Sequence, residues 1–215
     1  MRPERPRPDI ASGGPARLLP VRPGYRAVMN AITLLKNDHK TVEDLFKRFE
    51  KAGPRALKTK QDIVERIVRE LSIHAAIEEM VLYPAIREAA ENGDMDKMVL
   101  ESLEEHHLVK WVLWELERMS PDDERFDAKV TVLIENVRHH VEEEEKDLFP
   151  EVNKVYGRAQ LAELGEAMES LKKTAPTHPH PRSPDEPPGN LVAGTGAALV
   201  DRALDVGRKL VRRAS

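Results

Sequence analysis

One pattern occurs twice in this chain: His74-Ala-Ala-Ile-Glu78-Glu79-Met-Val-Leu82-Tyr83-Pro84 and His140-Val-Glu-Glu-Glu144-Glu145-Lys-Asp-Leu148-Phe149-Pro150. Each copy has His, then Glu four residues on, a second Glu, and Leu-aromatic-Pro at the same offset. On an α-helix, positions i and i+4 lie on one face a turn apart, so each pair points an imidazole and a carboxylate the same way. Two such faces brought together make a cage of nitrogen and oxygen donors, the donor set of a metal site.

The second copy lies 66 residues after the first, and at nearly the same offset Asn37-Asp38-His39-Lys40 lines up with Glu104-Glu105-His106-His107. The chain thus reads as two helix pairs of one design, each with one His on its first helix and His-x-x-x-Glu on its second. Helical position decides between adjacent candidates. His106 shares a face with Val99, Leu103, Val109 and Leu113, whereas His107 lies toward Trp111 and Trp114. His140 shares a face with Leu133 and Val137, whereas His139 lies among Glu135, Glu142, Glu143 and Lys146. The candidate metal ligands are therefore His39, His74, Glu78, His106, His140 and Glu144. His178 and His180, in a His-Pro-His stretch, read as part of a polar tail.

A single inward His is usually a hydrogen-bonded core residue. Six inward polar groups are a different case, because each buried group left unsatisfied costs ~1–3 kcal/mol against a net stability of ~5–15 kcal/mol. No Lys or Arg is patterned on all four faces to neutralise the carboxylates, so a metal cation is the economical partner. Imidazole and carboxylate without thiolate suit iron, manganese, zinc or copper. Two carboxylates from opposed helices can bridge two metals roughly 3.5–4 Å apart, leaving coordination positions open for a small ligand. An open, redox-capable pair favours iron over a structural zinc.

The elements that must position these groups are helices. The chain has 215 residues, 33% of them charged, 4% aromatic, with 16 Pro and no Cys. The absence of Cys excludes disulfides, thiolate zinc sites and Cys-ligated iron–sulfur clusters. A net charge of −4 with mixed signs gives no global electrostatic case for nucleic acid. With no apolar run of signal or membrane-spanning length, the expected compartment is the cytoplasm. Residues 1–28 carry Pro and Arg without helical period and read as a disordered arm, or as sequence upstream of an alternative start at Met29. Apolar periodicity predicts helices from Asn30 to Gly53, from about Ala56 to Ala90 with a kink at Pro84, and from about Met95 to Met119. Asp94 is a candidate cap of the third. A fourth runs on to about Tyr156, begun by Ser120-Pro121 and kinked at Pro150, and a short fifth spans Arg158 to Lys173. The expected fold is all-α, an antiparallel up-down four-helix bundle over residues 30–173. Residues 174–190 read as a Pro-rich linker that cannot be a core element. Residues 191–215 read as a basic amphipathic tail helix, with a membrane surface, another chain, the bundle or plain solvent as its environment.

From about Asn30 to Tyr156, with its doubled His-x-x-x-Glu-Glu and Leu-aromatic-Pro, the sequence resembles the hemerythrin-like (HHE cation-binding) family. The resemblance implies a four-helix bundle holding two non-haem iron ions, oxo- or hydroxo-bridged. It further implies His39 and His74 on one iron, His106 and His140 on the other, and Glu78 and Glu144 bridging. There are departures. Oxygen-carrying hemerythrins have a further His where this chain has Ser102, and an Asp five residues after the last His, where this chain has Glu144 at i+4. Glu43 and Asp147, close to ligands along their helices, are candidate outer partners, with plain surface roles as the alternative.

Three functions fit: binding or sensing of O2, NO or peroxide at an open iron position; an enzyme decomposing peroxide or NO; and iron storage or buffering. Ferritin-type sites need Glu-x-x-His twice, and only Glu104-x-x-His107 occurs.

Overall fold

The computed structural model describes residues 29–90 and 93–183; the arm of residues 1–28 and the tail of residues 191–215 lie outside them. Helix α1 (Ala31–Lys51) starts at Asn30, whose side chain accepts a hydrogen bond from the Thr33 backbone N–H at 2.8 Å. The next rod comprises α2 (Leu57–Ile77), a π-helical turn over Glu78–Leu82 and α3 (Tyr83–Ala90). Helix α4 (Asp94–Leu116) follows, with Gly93 rather than Asp94 at the cap position. The fourth rod comprises α5 (Phe126–Glu143), a second π-helical turn over Glu144–Leu148 and α6 (Phe149–Val155); α7 (Arg158–Leu171) closes the bundle. There is no strand among the described residues, and none of their helices is long and apolar enough to cross a membrane. The fold is an all-α, antiparallel up-down bundle in which α1 packs on α2 and α4 on α5.

Two local features differ from the sequence reading. The fourth rod begins at Phe126, not at Pro121: residues 120–125 form turns, held by the Asp123 carboxylate accepting the Arg125 N–H at 2.9 Å. A short acidic side chain closing such a turn competes with helix initiation. Both proline kinks take the form of one wide turn. A proline has no N–H to donate and its ring crowds the carbonyl four residues back, here those of Met80 and Lys146. Each helix admits one extra residue just ahead of its proline, so the N–H groups of Tyr83 and Phe149 reach back to the carbonyls of Glu78 and Glu144. The wide turns therefore begin at the two glutamates of the repeated motif.

Helix α7 lies against the start of α1, where Gly165 permits a very close approach. A Cβ at Gly165 would stand 2.0 Å from the Met29 carbonyl oxygen and 2.9 Å from the Ala31 nitrogen. The core has two apolar bodies. One is built around Leu35, Ile77, Tyr83, Val99, Phe149 and Leu164, the other around Val42, Phe46, Ile67, Leu113, Phe126 and Leu133. Between them, His39 follows Leu35 and precedes Val42, His74 lies between Leu71 and Ile77, and His106 and His140 hold the matching level of α4 and α5. A polar layer thus crosses the middle of an otherwise hydrophobic bundle.

Residues 174–183 do not continue the bundle as a helix, in keeping with their proline content. They nevertheless lie against it: Ala175 packs with Ile73 and Ala76, His178 Nδ1 meets Glu117 Oε1 at 2.5 Å, and Arg182 lies 5.9 Å over the Trp111 ring.

Candidate metal centre

His39, His74, Glu78, His106, His140 and Glu144 converge in this layer, and all are buried. Their donor atoms fall into two sets that share Glu78. One is His39, His74, Glu78 and Glu144; the other is Glu78, His106 and His140. His74 Nε2 and Glu78 Oε2 are 3.2 Å apart, His106 Nε2 and Glu78 Oε2 3.5 Å, His39 Nε2 and Glu144 Oε2 3.2 Å, and His140 Nε2 and Glu144 Oε2 3.6 Å. Two imidazoles thus flank each carboxylate. Of the neighbours weighed against these residues, His139 is 65% exposed and pairs with Glu143, and His107 accepts a hydrogen bond from Trp111 Nε1 at 3.2 Å, outside the cluster.

The other ring nitrogen of each histidine turns outward to a carboxylate. His39 Nδ1 donates to Glu145 at 2.9 Å, His106 Nδ1 to Glu79 at 2.9 Å, and His140 Nδ1 to Glu105 at 2.7 Å; His74 Nδ1 stands 3.7 Å from Asp38. The three hydrogen bonds hold the rings of His39, His106 and His140 with Nδ1 outward and Nε2 toward the centre, whereas His74 Nδ1 has no hydrogen-bond partner. The pattern repeats with the duplication. The acid before each first-helix His (Asp38, Glu105) serves the His of its own half, and the second Glu of each doublet (Glu79, Glu145) serves the first-helix His of the other half.

This corrects the outer partners expected from sequence. Glu43 faces Arg138, which donates to it at 3.0 and 3.1 Å, and Asp147 is exposed; neither meets a histidine of the cluster. Closeness along one helix was the wrong guide, because the partner of each ring comes from a neighbouring helix. The repeated dipeptides acid-His and Glu-Glu were the signal in the sequence.

The cluster is electrostatically unfinished. Nε2 of His39 and His74, both oxygens of Glu78 and Oε2 of Glu144 are buried without a hydrogen-bond partner. Burial pushes Glu78 well above the usual carboxylate range, reinforced by Glu144 beside it. Burial acts the same way on Glu144, but the imidazoles of His140 and His39 outweigh it and hold Glu144 low. Burial pushes His74 down to about 4 and His106 well below the usual range. For His39 and His140 burial is overcome by Glu144 with Glu145 and with Glu105, and both are raised. Without metal, then, protons shared unevenly among the six groups carry the charge balance. A cation among the orphaned nitrogens and oxygens satisfies them together, so these residues fit a metal site of the imidazole–carboxylate class.

The two halves are not equivalent. Tyr83 donates to Glu144 Oε1 at 2.9 Å and lies beside His106, while its counterpart Phe149 stacks on His39 with ring centres 5.9 Å apart. Burial, together with Glu144 and Glu78, pushes the Tyr83 phenol well above its usual range and keeps it a donor. Ser102 is buried, its hydroxyl spent on the Met98 carbonyl at 3.0 Å, so no further imidazole enters from that position. On the other side of the four rings lies a cavity of about 20 Å³, walled by Val42, Leu71, Val109, Val137 and Val141.

A family model, the hemerythrin HHE cation-binding domain, matches residues 30–152. The chain belongs to that family. Metal binding is thus supported by the family and by the cluster alike. Among relatives, an uncharacterized hemerythrin-like protein of Schizosaccharomyces pombe is 29% identical over 196 residues, covering 91% of this chain and 92% of that protein. A DNA nickase of a Nostoc species is 31% identical over 122 residues, which is 56% of this chain but only 33% of the nickase. Among solved structures, an HHE cation-binding domain-containing protein from Mycobacterium kansasii superposes with a TM-score of 0.58 at 26% identity, over 68% of this chain and 86% of that one. The family match ends at residue 152, so α7 and residues 174–183 lie beyond it, while the alignment with the Schizosaccharomyces pombe protein spans 196 residues.

Proposed function

We propose that the six central residues hold a pair of iron ions and that the protein binds or senses O2 or a related small oxidant, NO or peroxide. The observation that carries this reading is the sharing of Glu78 between two His-containing donor sets beside an apolar cavity. Iron in such a site supplies a reducible centre with positions open to a small ligand. The chain's own residues do the rest. Glu145, Glu79 and Glu105 orient three rings, Tyr83 offers a proton at Glu144 Oε1, and the valine-lined cavity gives bulk water no polar partner near the imidazoles. A cavity of this size has room for about one water-sized molecule. Its apolar walls favour a diatomic gas over peroxide, which needs hydrogen-bond partners there.

The nickase relative does not extend this reading, because two thirds of that protein lies outside the match and a net charge of −4 with mixed signs gives no global electrostatic case for nucleic acid. The expected compartment remains the cytoplasm.

The experiment is an anaerobic titration of iron-loaded, reduced protein with O2, NO and peroxide, followed by optical spectra. A saturating adduct at a fixed ratio to protein supports binding or sensing. Continued consumption of peroxide or NO over many equivalents makes the protein an enzyme instead, and rapid loss of iron to a weak chelator with no adduct makes it an iron store.

A further inference from the structure

Helix α7 lies beyond residue 152, where the family match ends, and runs alongside α1 in the same direction. Gly165 stands against Met29 and Ala31, and Lys172, about two turns further on, donates from Nζ to Asp38 Oδ1 at 2.5 Å. Asp38 is the acid behind His74. Its other oxygen, Oδ2, is buried without a hydrogen-bond partner 3.7 Å from His74 Nδ1, which is likewise buried and unpartnered. A ring nitrogen and a carboxylate oxygen that face each other in the interior and stay unjoined are costly, so something holds them apart.

The other three outer carboxylates show what that is. Glu145 meets Lys36 at 3.2 Å through Oε2 and also takes His39 Nδ1 through Oε1. Glu79 meets Lys110 at 2.7 Å and also takes His106 Nδ1. Glu105, the counterpart of Asp38 in the duplication, takes His140 at 2.7 Å with no lysine against it among the described residues. Asp38 is one methylene shorter than these glutamates, so with one oxygen taken by Lys172 it falls short of the ring. We propose that Lys172 is a positioning residue for the metal centre, which draws Asp38 off His74 and leaves that ring without the support the other three have. A carboxylate bound to the outer N–H of a ligating imidazole fixes the ring and raises its basicity, so His74 is the weakest donor of the four. His74 belongs to one donor set only, so the effect falls on one metal position. The inference rests on the six central residues being the metal site, and it gives a helix outside the matched domain a hold on that site.

The test uses the full-length chain with Lys172→Met, Lys172→Arg and Asp38→Glu. Proton–nitrogen NMR of the imidazoles in the metal-free protein reads the contact itself. A hydrogen-bonded His74 Nδ1–H should be missing from the wild type and from Lys172→Arg, and should appear in Lys172→Met and in Asp38→Glu. Anaerobic competition with a chelator for iron(II) reads the consequence: one of two equivalents should bind several-fold tighter in those two variants, with the other unchanged. In an Asp38→Asn background Lys172→Met should no longer alter the affinity, because the coupling runs through that carboxylate. A lysine that merely ties α7 to α1 would, when replaced, lower the melting temperature and weaken both equivalents alike, and that result overturns the proposal. So does the absence of a His74 signal in Lys172→Met, and so does a change of affinity that survives in the Asp38→Asn background. A chain that takes up no iron defeats the metal reading, while the NMR signal still decides the Lys172 contact.

Discussion

His39 Nδ1 on α1 and Glu145 Oε1 in the wide turn after α5, 106 residues apart in the chain, meet at 2.9 Å. The mirror contact, His106 Nδ1 to Glu79 Oε1, has the same length. Each half of the duplication therefore orients a ring belonging to the other, and the metal layer also ties the two halves together.

If these carboxylates hold the rings for metal, removing their charge should weaken the metal without removing a donor. Glu145→Gln and Glu79→Gln are each expected to lower metal affinity by about 10–100-fold. Glu43→Gln and Asp147→Asn, whose side chains lie away from the cluster, should leave it unchanged. Competition with a chromophoric chelator measures all four.

Among the donors themselves, Glu144→Ala should lose most of one equivalent of metal, because His39 and His140 both face that carboxylate. His139→Ala should change little, since its ring is on the surface. Metal analysis of the two purified variants decides, and equal losses would contradict the assignment of faces.

Much of this centre was legible in the sequence. His-x-x-x-Glu at one offset in two places gave both helix faces, and the apolar neighbours of His106 and His140 chose them over His107 and His139. The outer carboxylates were not legible along a single helix, because the partner of His39 depends on how α5 is set against α1. Pro84 and Pro150 announced a disturbance, but the extra residue in each turn follows from crowding at the Met80 and Lys146 carbonyls, which hydrophobic period does not reveal. The late start of α5 was hidden for a similar reason: Asp123 has a choice between capping a helix and closing a turn.

Above the ordinary imidazole value of 6.5, the folded metal-free chain keeps protons that the unfolded chain releases. They sit on His39 and His140, where neighbouring carboxylates outweigh burial, and on Glu78, raised by burial and Glu144. A state that binds more protons loses ground as pH rises, so the metal-free protein should unfold at progressively lower temperature as pH rises above 6.5. Metal must displace those protons, so its affinity should rise over the same range. Thermal melts with and without metal check both signs.

Gly165→Ala should destabilise the fold without touching a donor. Its new Cβ meets the Met29 carbonyl at 2.0 Å, forcing α7 away from α1 at a cost of about 1–3 kcal/mol. A lower melting temperature with unchanged metal content per folded chain is the expected result.

The most direct measurement is iron content after expression in iron-supplemented medium, taken together with optical spectra of the anaerobic and the aerated protein. Two equivalents of iron per chain, with an absorption that appears on exposure to air, is the predicted result. Protein that remains metal-free, or whose bound iron gives the same spectrum with and without oxygen, would contradict it.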